Sequence, residues 1–494
     1  MTSSQFDDSP HGTYRNRHLT TAVPACFARR DPRHAEAMTG TPRPDFAHSS
    51  RRRFLGATGA AFAALVAGGC TARGARSTNL ATAAATGYGR LIEDPARLLD
   101  LPGGFSYRVL SSLGERMDDG ATVPDKADGM GAFRLRDGRI ALVRNHELRI
   151  GQDGGGASGA AYDGGSGGII VPGGTTTLVL DPATLRVERQ FRSLSGTIRN
   201  CAGGVTPWGS WLTCEEDVTR AGTKGATRDH GWVFEVPASA TGPIDPRPLT
   251  ALGRFNHEAA AVDPASGIVY LTEDRDDSLL YRFVPQRPGR LGEGGRLQAL
   301  GLRDPALNGP VLTDSRNWTA RDFATGAWAA VRWIDLDAVE SPDDDLRKRG
   351  HAAGALRFAR GEGIAMGDGE LYFMCTSGGA AKLGQIFRLR PAKSGDDRVQ
   401  LFFESTDPAQ LNYGDNLTVA PDGQLIVCED KGGLAVDNHL RGIDRSGAAY
   451  PLARLRTQTE LAGACFSPDT RTLFVNVFSP TKTLAITGPW QHLA

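Results

Sequence analysis

Three pairs of neighbouring acids, Glu215-Glu216, Glu273-Asp274 and Glu429-Asp430, stand in matching places along the chain: the first acid of each lies six residues beyond a turn glycine, Gly209, Gly267 or Gly423. Counting back seven to nine residues from successive turn glycines gives a second set, Cys201, Glu258, Glu362 and Asp415. If the fold brings these positions together, the carboxylates repel one another strongly unless cations neutralise them. An oxygen-rich site suits Ca²⁺, and a thiolate among the acids suits a softer transition metal such as iron. Arg360, two residues before Glu362, and Arg275, two residues after Glu273, add guanidiniums whose planar fork fits a pair of phosphate oxygens.

The candidate metal ligands are therefore Cys201, Glu215, Glu216, Glu258, Glu273, Glu362, Asp415 and Glu429, with Arg360 and Glu362 as candidate catalytic residues and Arg275 and Arg360 as candidate substrate-binding residues. Strand alternation sends the two members of each acid pair to opposite sides. The pattern alone does not choose the member that faces the site. The tripeptide Asn-His-Glu occurs twice, at 145–147 and 256–258. For His146 and His257, a place between loop carbonyls is the commoner outcome than metal ligation.

The elements that must position these residues recur with them. Each acid pair ends a phrase of apolar run, glycine-centred turn and second apolar run: 203–217, 260–276 and 417–431, with weaker copies at 130–147, 364–377 and 464–477. Such a phrase predicts a β-hairpin. Six copies at blade-like spacing predict an all-β fold, a six-bladed β-propeller with loop insertions. Residues just before the first strand of successive blades then converge on the axis. The glycine count, 62 of 494 residues, fits many tight turns.

Composition and the N-terminus bound the rest. Equal numbers of acids and Lys+Arg, 56 each, leave no net field to recruit nucleic acid or an anionic membrane. Ser50-Arg51-Arg52-Arg53-Phe54-Leu55-Gly56, followed by a short Ala/Gly-rich apolar run, reads as a twin-arginine export signal, with Met38 as a conventional start. Cys70 is a candidate for lipid attachment. The expected organisation is 1–70 extension and signal, 71–87 linker and 88–494 propeller, with an insertion at about 286–355 that decorates one blade or forms a lid. The glycine-rich stretch 150–175 is expected at a rim. Of the five cysteines beyond the signal, Cys214, Cys375 and Cys428 read as small buried side chains, whereas Cys201 precedes a strand. Neither a Gly-x-Ser-x-Gly elbow nor a His-Glu-x-x-His motif is present, so serine-triad and zincin chemistry have no support.

Asn200-Cys201-Ala202-Gly203-Gly204, Leu212-Thr213-Cys214-Glu215-Glu216, Leu271-Thr272-Glu273-Asp274-Arg275, Asp415-Asn416-Leu417-Thr418 and Gly463-Ala464-Cys465-Phe466-Ser467-Pro468, together with the export signal, resemble the PhoX family of secreted bacterial alkaline phosphatases over about 90–490. The resemblance implies a propeller phosphatase with two irons and several calcium ions, Fe³⁺ held by the Cys201 thiolate, and Glu273, Glu362 and Arg360 at the metals or phosphate. It implies small phosphomonoester substrates, passage through the twin-arginine machinery, a periplasmic or secreted destination and no stable protein partner. Two other readings remain open: a Ca²⁺-dependent propeller lactonase or phosphotriesterase, and a non-catalytic binding propeller with structural Ca²⁺.

Overall fold

The computed structural model describes residues 87–156, 160–303 and 311–490. The expected signal, with Arg51 and Arg52, the Met38 start, Cys70 and the linker up to residue 86 lie outside the described residues.

The predicted hairpins are present. Their first strands are Ala127–Arg134, Asn200–Val205, His257–Val262, Gly361–Gly367, Gly414–Val419 and Leu461–Phe466. Each pairs antiparallel with the strand after its turn: Ile140–His146, Ser210–Glu215, Val269–Glu273, Glu370–Cys375, Leu425–Glu429 and Thr472–Val477. The first strands also neighbour one another in order, and the last neighbours the first, so they enclose a common axis as a propeller requires. The strand Ser106–Ser112 closes the ring from the N-terminal side by pairing with Lys482–Thr487 at the outer edge of the last hairpin.

Six separate four-stranded blades are not what hydrogen bonding produces. The described strands group into five sheets, of six, three, nine, four and four strands. The nine-stranded sheet arises because Trp328–Asp335 bonds on one edge to Gly295–Leu302 and on the other to Arg398–Glu404, joining two neighbouring units through their outer edges. The segment expected as an insertion is thus an elaboration of the blades, and its helix is limited to Leu346–Ala352. The charged stretch before it, rich in Asp, makes turns instead. An edge strand that would otherwise expose unpaired amides is covered by this bridge.

Apolar side chains fill the space between neighbouring sheets. Phe358, Phe373 and Phe387 pack with ring centroids 5.0–5.3 Å apart, in a cluster with Leu300, Leu371 and Leu401. Cys214, Cys375 and Cys428 are buried and free, as small packing residues. At two glycines of the first strands, close approach of the neighbouring strand leaves no room for a side chain. A Cβ at Gly204 would collide with the Ala260 carbonyl, and one at Gly463 with the Asp128 carbonyl.

Candidate metal centre at the mouth of the axis

Every one of the six first strands carries a register shift near its start, between Ala127 and Met130, Asn200 and Gly203, His257 and Ala260, Gly361 and Ile364, Gly414 and Leu417, and Ala462 and Cys465. A bulge bends the strand and re-aims the residues within it. Asp128, Cys201, Glu258, Glu362, Asp415 and Gly463 all fall inside these bulges. The bulge is the local device that turns a thiol and four carboxylates toward one place.

A second repeated contact sets the partner layer. The residue following each second strand donates its backbone N–H to the carbonyl of the residue preceding the first strand: Glu147 to Lys126 (2.9 Å), Glu216 to Arg199 (2.9 Å), Asp274 to Asn256 (3.3 Å), Thr376 to Arg360 (3.0 Å), Asp430 to Tyr413 (2.8 Å) and Phe478 to Glu460 (3.1 Å). The last residue of the second strand is paired within the sheet, as in Asn200↔Glu215, His257↔Glu273 and Gly414↔Glu429. In each acid pair, the first member therefore belongs to the blade and the second to the mouth.

The first members are corrected accordingly. Glu215 accepts hydrogen bonds from the amides of Ile198 (2.9 Å), Gly231 (2.9 Å) and Trp232 (3.1 Å) and lies 2.6 Å from His230 Nδ1. Glu273 accepts from the Tyr281 hydroxyl at 2.8 Å and faces Arg347. Glu429 binds the Asn412 amide, the His439 amide and the Arg441 guanidinium. Donors inside their own blades occupy these carboxylates, and none of the three joins the convergent acids among the described residues. Arg275 is also displaced: its guanidinium points to Asp344, 3.9 Å away.

The convergent groups are Cys201, Glu216 and Glu258; Glu258, Glu362 and Asp415; and Asp415, Asp430 and Glu460, each offering ligand atoms within 4.8 Å of one another. Glu258 is 1% exposed, and neither of its carboxylate oxygens has a hydrogen-bond partner. Asp128, whose Oδ2 lies 3.7 Å from Cys201 Sγ, leaves Oδ1 equally unpartnered. Burial and mutual repulsion push the carboxyl groups of Asp128, Glu258 and Glu362 well above the ordinary range, and burial followed by the surrounding carboxylates raises the Cys201 thiol. Buried, unpartnered carboxylate oxygens are costly. A multivalent cation reverses that penalty, because it favours the ionised carboxylates and the thiolate. The donor set fits metal: oxygens around Glu362 and Asp415, sulfur with oxygens around Cys201.

Two arginines brace the acids. Arg360 holds Asp274 through Nε (2.7 Å) and Nη2 (2.8 Å) and reaches Glu362 with Nη2 at 3.1 Å. Arg199 holds Glu147 through Nε at 2.7 Å, pairs with the Glu216 carboxylate and donates through Nη1 to the Glu216 carbonyl at 2.9 Å. Both precede a first strand, both have left-handed backbones (φ 55° and 47°), and both grip the acid that follows the preceding blade's second strand. The histidines are structural: His146 lies between the Asp125 carbonyl and Thr176, and His257 bonds the Gly253 carbonyl. Sequence reasoning missed Asp128, Glu147, Arg199 and Glu460. Asp128 stands ten residues before Gly138, one beyond the range counted, so a slightly wider window finds it.

The profile of the alkaline phosphatase PhoX family matches residues 86–182 and 171–481. The chain belongs to the PhoX alkaline phosphatase family. Among solved structures it is similar to Pseudomonas fluorescens PhoX in complex with vanadate, a transition-state analogue, at 19% identity and a TM-score of 0.60, covering 79% of this chain and 96% of that one. A gluconolactonase from Xanthomonas campestris is more distant, at 13% identity and a TM-score of 0.40, covering 81% of this chain and 98% of that one. No curated protein matches. Among the described residues the clustered acids stand at the starts of the first strands or just after the ends of the second strands. The first strands beyond the acids line a cavity of about 290 Å³ with Ala202, Ala260, Ile364, Leu417 and Cys465, which offers a phosphate no charge.

Proposed function

We propose that this member of the family hydrolyses small phosphomonoesters outside the cytoplasm at a centre that holds Fe³⁺ and Ca²⁺. The observation that carries the reading is Glu258: a fully buried carboxylate with both oxygens unpartnered, shared by a sulfur-containing group and an all-oxygen group. Cys201, Glu216 and Glu258 would hold iron, and Glu258, Glu362 and Asp415 calcium. When bound, these ions supply Lewis acidity and positive charge for phosphoryl oxygens.

The chain's own residues supply orientation. Asp274 fixes the Arg360 guanidinium from one side and Glu362 from another, leaving Nη1 uncommitted among the described residues. A guanidinium held this way meets the charge that develops on a transferring phosphoryl group without reorganising. Arg199 does the equivalent service for Glu216, keeping that acid turned to the Cys201 side.

The segment 50–56, read as a twin-arginine signal, would fit this reading, because that route carries proteins already folded around their metals. On that route Cys70 would be the point of lipid attachment. A double Arg51→Lys, Arg52→Lys variant is expected to stay in the cytoplasmic fraction, and unchanged export would refute the signal. For the centre itself, the purified protein is expected to contain iron and calcium and to turn over phosphomonoesters. Calcium without iron, with no phosphatase activity, would overturn the proposal in favour of a lactonase-like or binding propeller.

A further inference from the structure

In four of the six blades the residue before the first strand meets the residue that follows the preceding blade's second strand. Arg199 meets Glu147 and Arg360 meets Asp274, so each guanidinium is neutralised by a carboxylate. Asn256 meets Glu216 through Nδ2 at 3.0 Å. Lys126 holds the same position before the strand Ala127–Arg134, with the same left-handed backbone (φ 56°). Its counterpart is not an acid. The ammonium lies over the ring of Phe478, 4.9 Å from its centroid.

Of the neighbouring acids, Asp125 and Glu147 are engaged elsewhere. Asp125 accepts from the Ser479 hydroxyl (2.7 Å) and the Thr481 amide (2.9 Å), Glu147 is held by Arg199, and Asp128 faces Cys201. Among the described residues no carboxylate forms an ion pair with Lys126, which is half-buried at the mouth. A long side chain in a left-handed backbone is an uncommon and strained choice. A phenyl ring beneath the ammonium holds it in place without cancelling its charge for a third party.

We infer that Lys126 is a specificity-determining residue of the mouth: it binds a second anionic group on the substrate, a carboxylate or further phosphate carried by the leaving group. This rests on the phosphatase reading above. Phosphate esters whose alcohol part is itself anionic are therefore preferred over those whose alcohol part is neutral. Lysine, a compact point charge with freely turning donors, suits a group of variable position better than a bidentate fork does.

Glycerol 3-phosphate and 3-phosphoglycerate test this, since they differ only in a hydroxymethyl against a carboxylate. The ratio of kcat/KM for 3-phosphoglycerate to that for glycerol 3-phosphate is expected to fall about tenfold in Lys126→Met, about 1.4 kcal/mol, with the change in KM. Lys126→Arg should restore most of it. Lys126→Asn, which tolerates the left-handed backbone best, gives the same answer if the Met variant folds poorly. An unchanged ratio, or an equal fall for both esters, overturns the assignment while leaving the phosphatase reading intact. Absence of turnover of either ester by the unaltered, metal-replete protein overturns that reading instead.

Discussion

Glu215 and Glu216 are joined by one peptide bond, yet one carboxylate is the best satisfied in its neighbourhood and the other belongs to an uncompensated cluster. Glu215 sits on three backbone amides and a histidine within its blade. Glu216 turns to the mouth, where Arg199 is its cation and Cys201 and Glu258 are its neighbours. The same division separates Glu273 from Asp274 and Glu429 from Asp430. Blade-facing acids are structural because the fold supplies their donors. At the mouth Arg199 holds Glu216 and Arg360 holds Asp274, but the Glu258 carboxylate among them has no donor, and that shortage is the signature of a site.

The largest test of this contrast exchanges one acid from each region. Glu258→Gln is expected to lower phosphatase activity by at least about a hundredfold, as loss of a residue that orients a charged centre does. In chelated protein the same change should raise stability to denaturant, because it removes a buried charge with no partner. Glu215→Gln should do the reverse. It should lower the unfolding free energy by about 3 kcal/mol, the scale for breaking a buried, hydrogen-bonded pair, while metal content per folded molecule stays the same. Equal behaviour of the two variants would erase the distinction.

A chelator sharpens the contrast through pH. The folded-state values of Asp128, Glu258 and Glu362 lie above their ordinary ones, and burial raises Glu216 from 4.5 to about 8. A raised acid contributes stability below its unfolded value, and that contribution is lost as pH rises through the folded value. Metal-free protein is thus expected to weaken progressively from about pH 4.5 to pH 8 and above. Protein with its cations restored should hold its stability over the same window, since a cation favours the ionised forms. Denaturation midpoints at pH 5 and pH 8, with and without Ca²⁺, measure this. A flat profile in the chelated protein would contradict the cluster's electrostatics.

The smallest effect concerns two arginines close in sequence to the acids. Arg275→Ala is expected to change kcat/KM by less than about twofold, because a partly exposed ion pair with Asp344 contributes little. A loss as large as that from Arg360→Ala would return Arg275 to the site.

Much of this was legible beforehand because hairpin phrases are local. Apolar alternation and turn glycines define the strands, and the distance from turn to strand start locates Cys201, Glu258, Glu362 and Asp415, which the structure brings together with Glu216. The register between blades was not legible. The bridge made by Trp328–Asp335 pairs segments far apart in the chain, so five hydrogen-bonded sheets replace the six separate blades expected. Arg199 escaped notice because nothing in the order Arg-Asn-Cys says that its side chain crosses to the neighbouring blade.

By itself the sequence determined the all-β propeller, the family and the positions at which acids and a thiol recur, since these follow from short-range patterning and from motifs. Only the tertiary structure decided which acid of each pair faces the axis. The bulge at the start of each first strand, and the amide-to-carbonyl bond that closes each hairpin onto it, fix that choice. Both depend on two strands being paired in one register, where a shift of a single residue would send the other carboxylate inward.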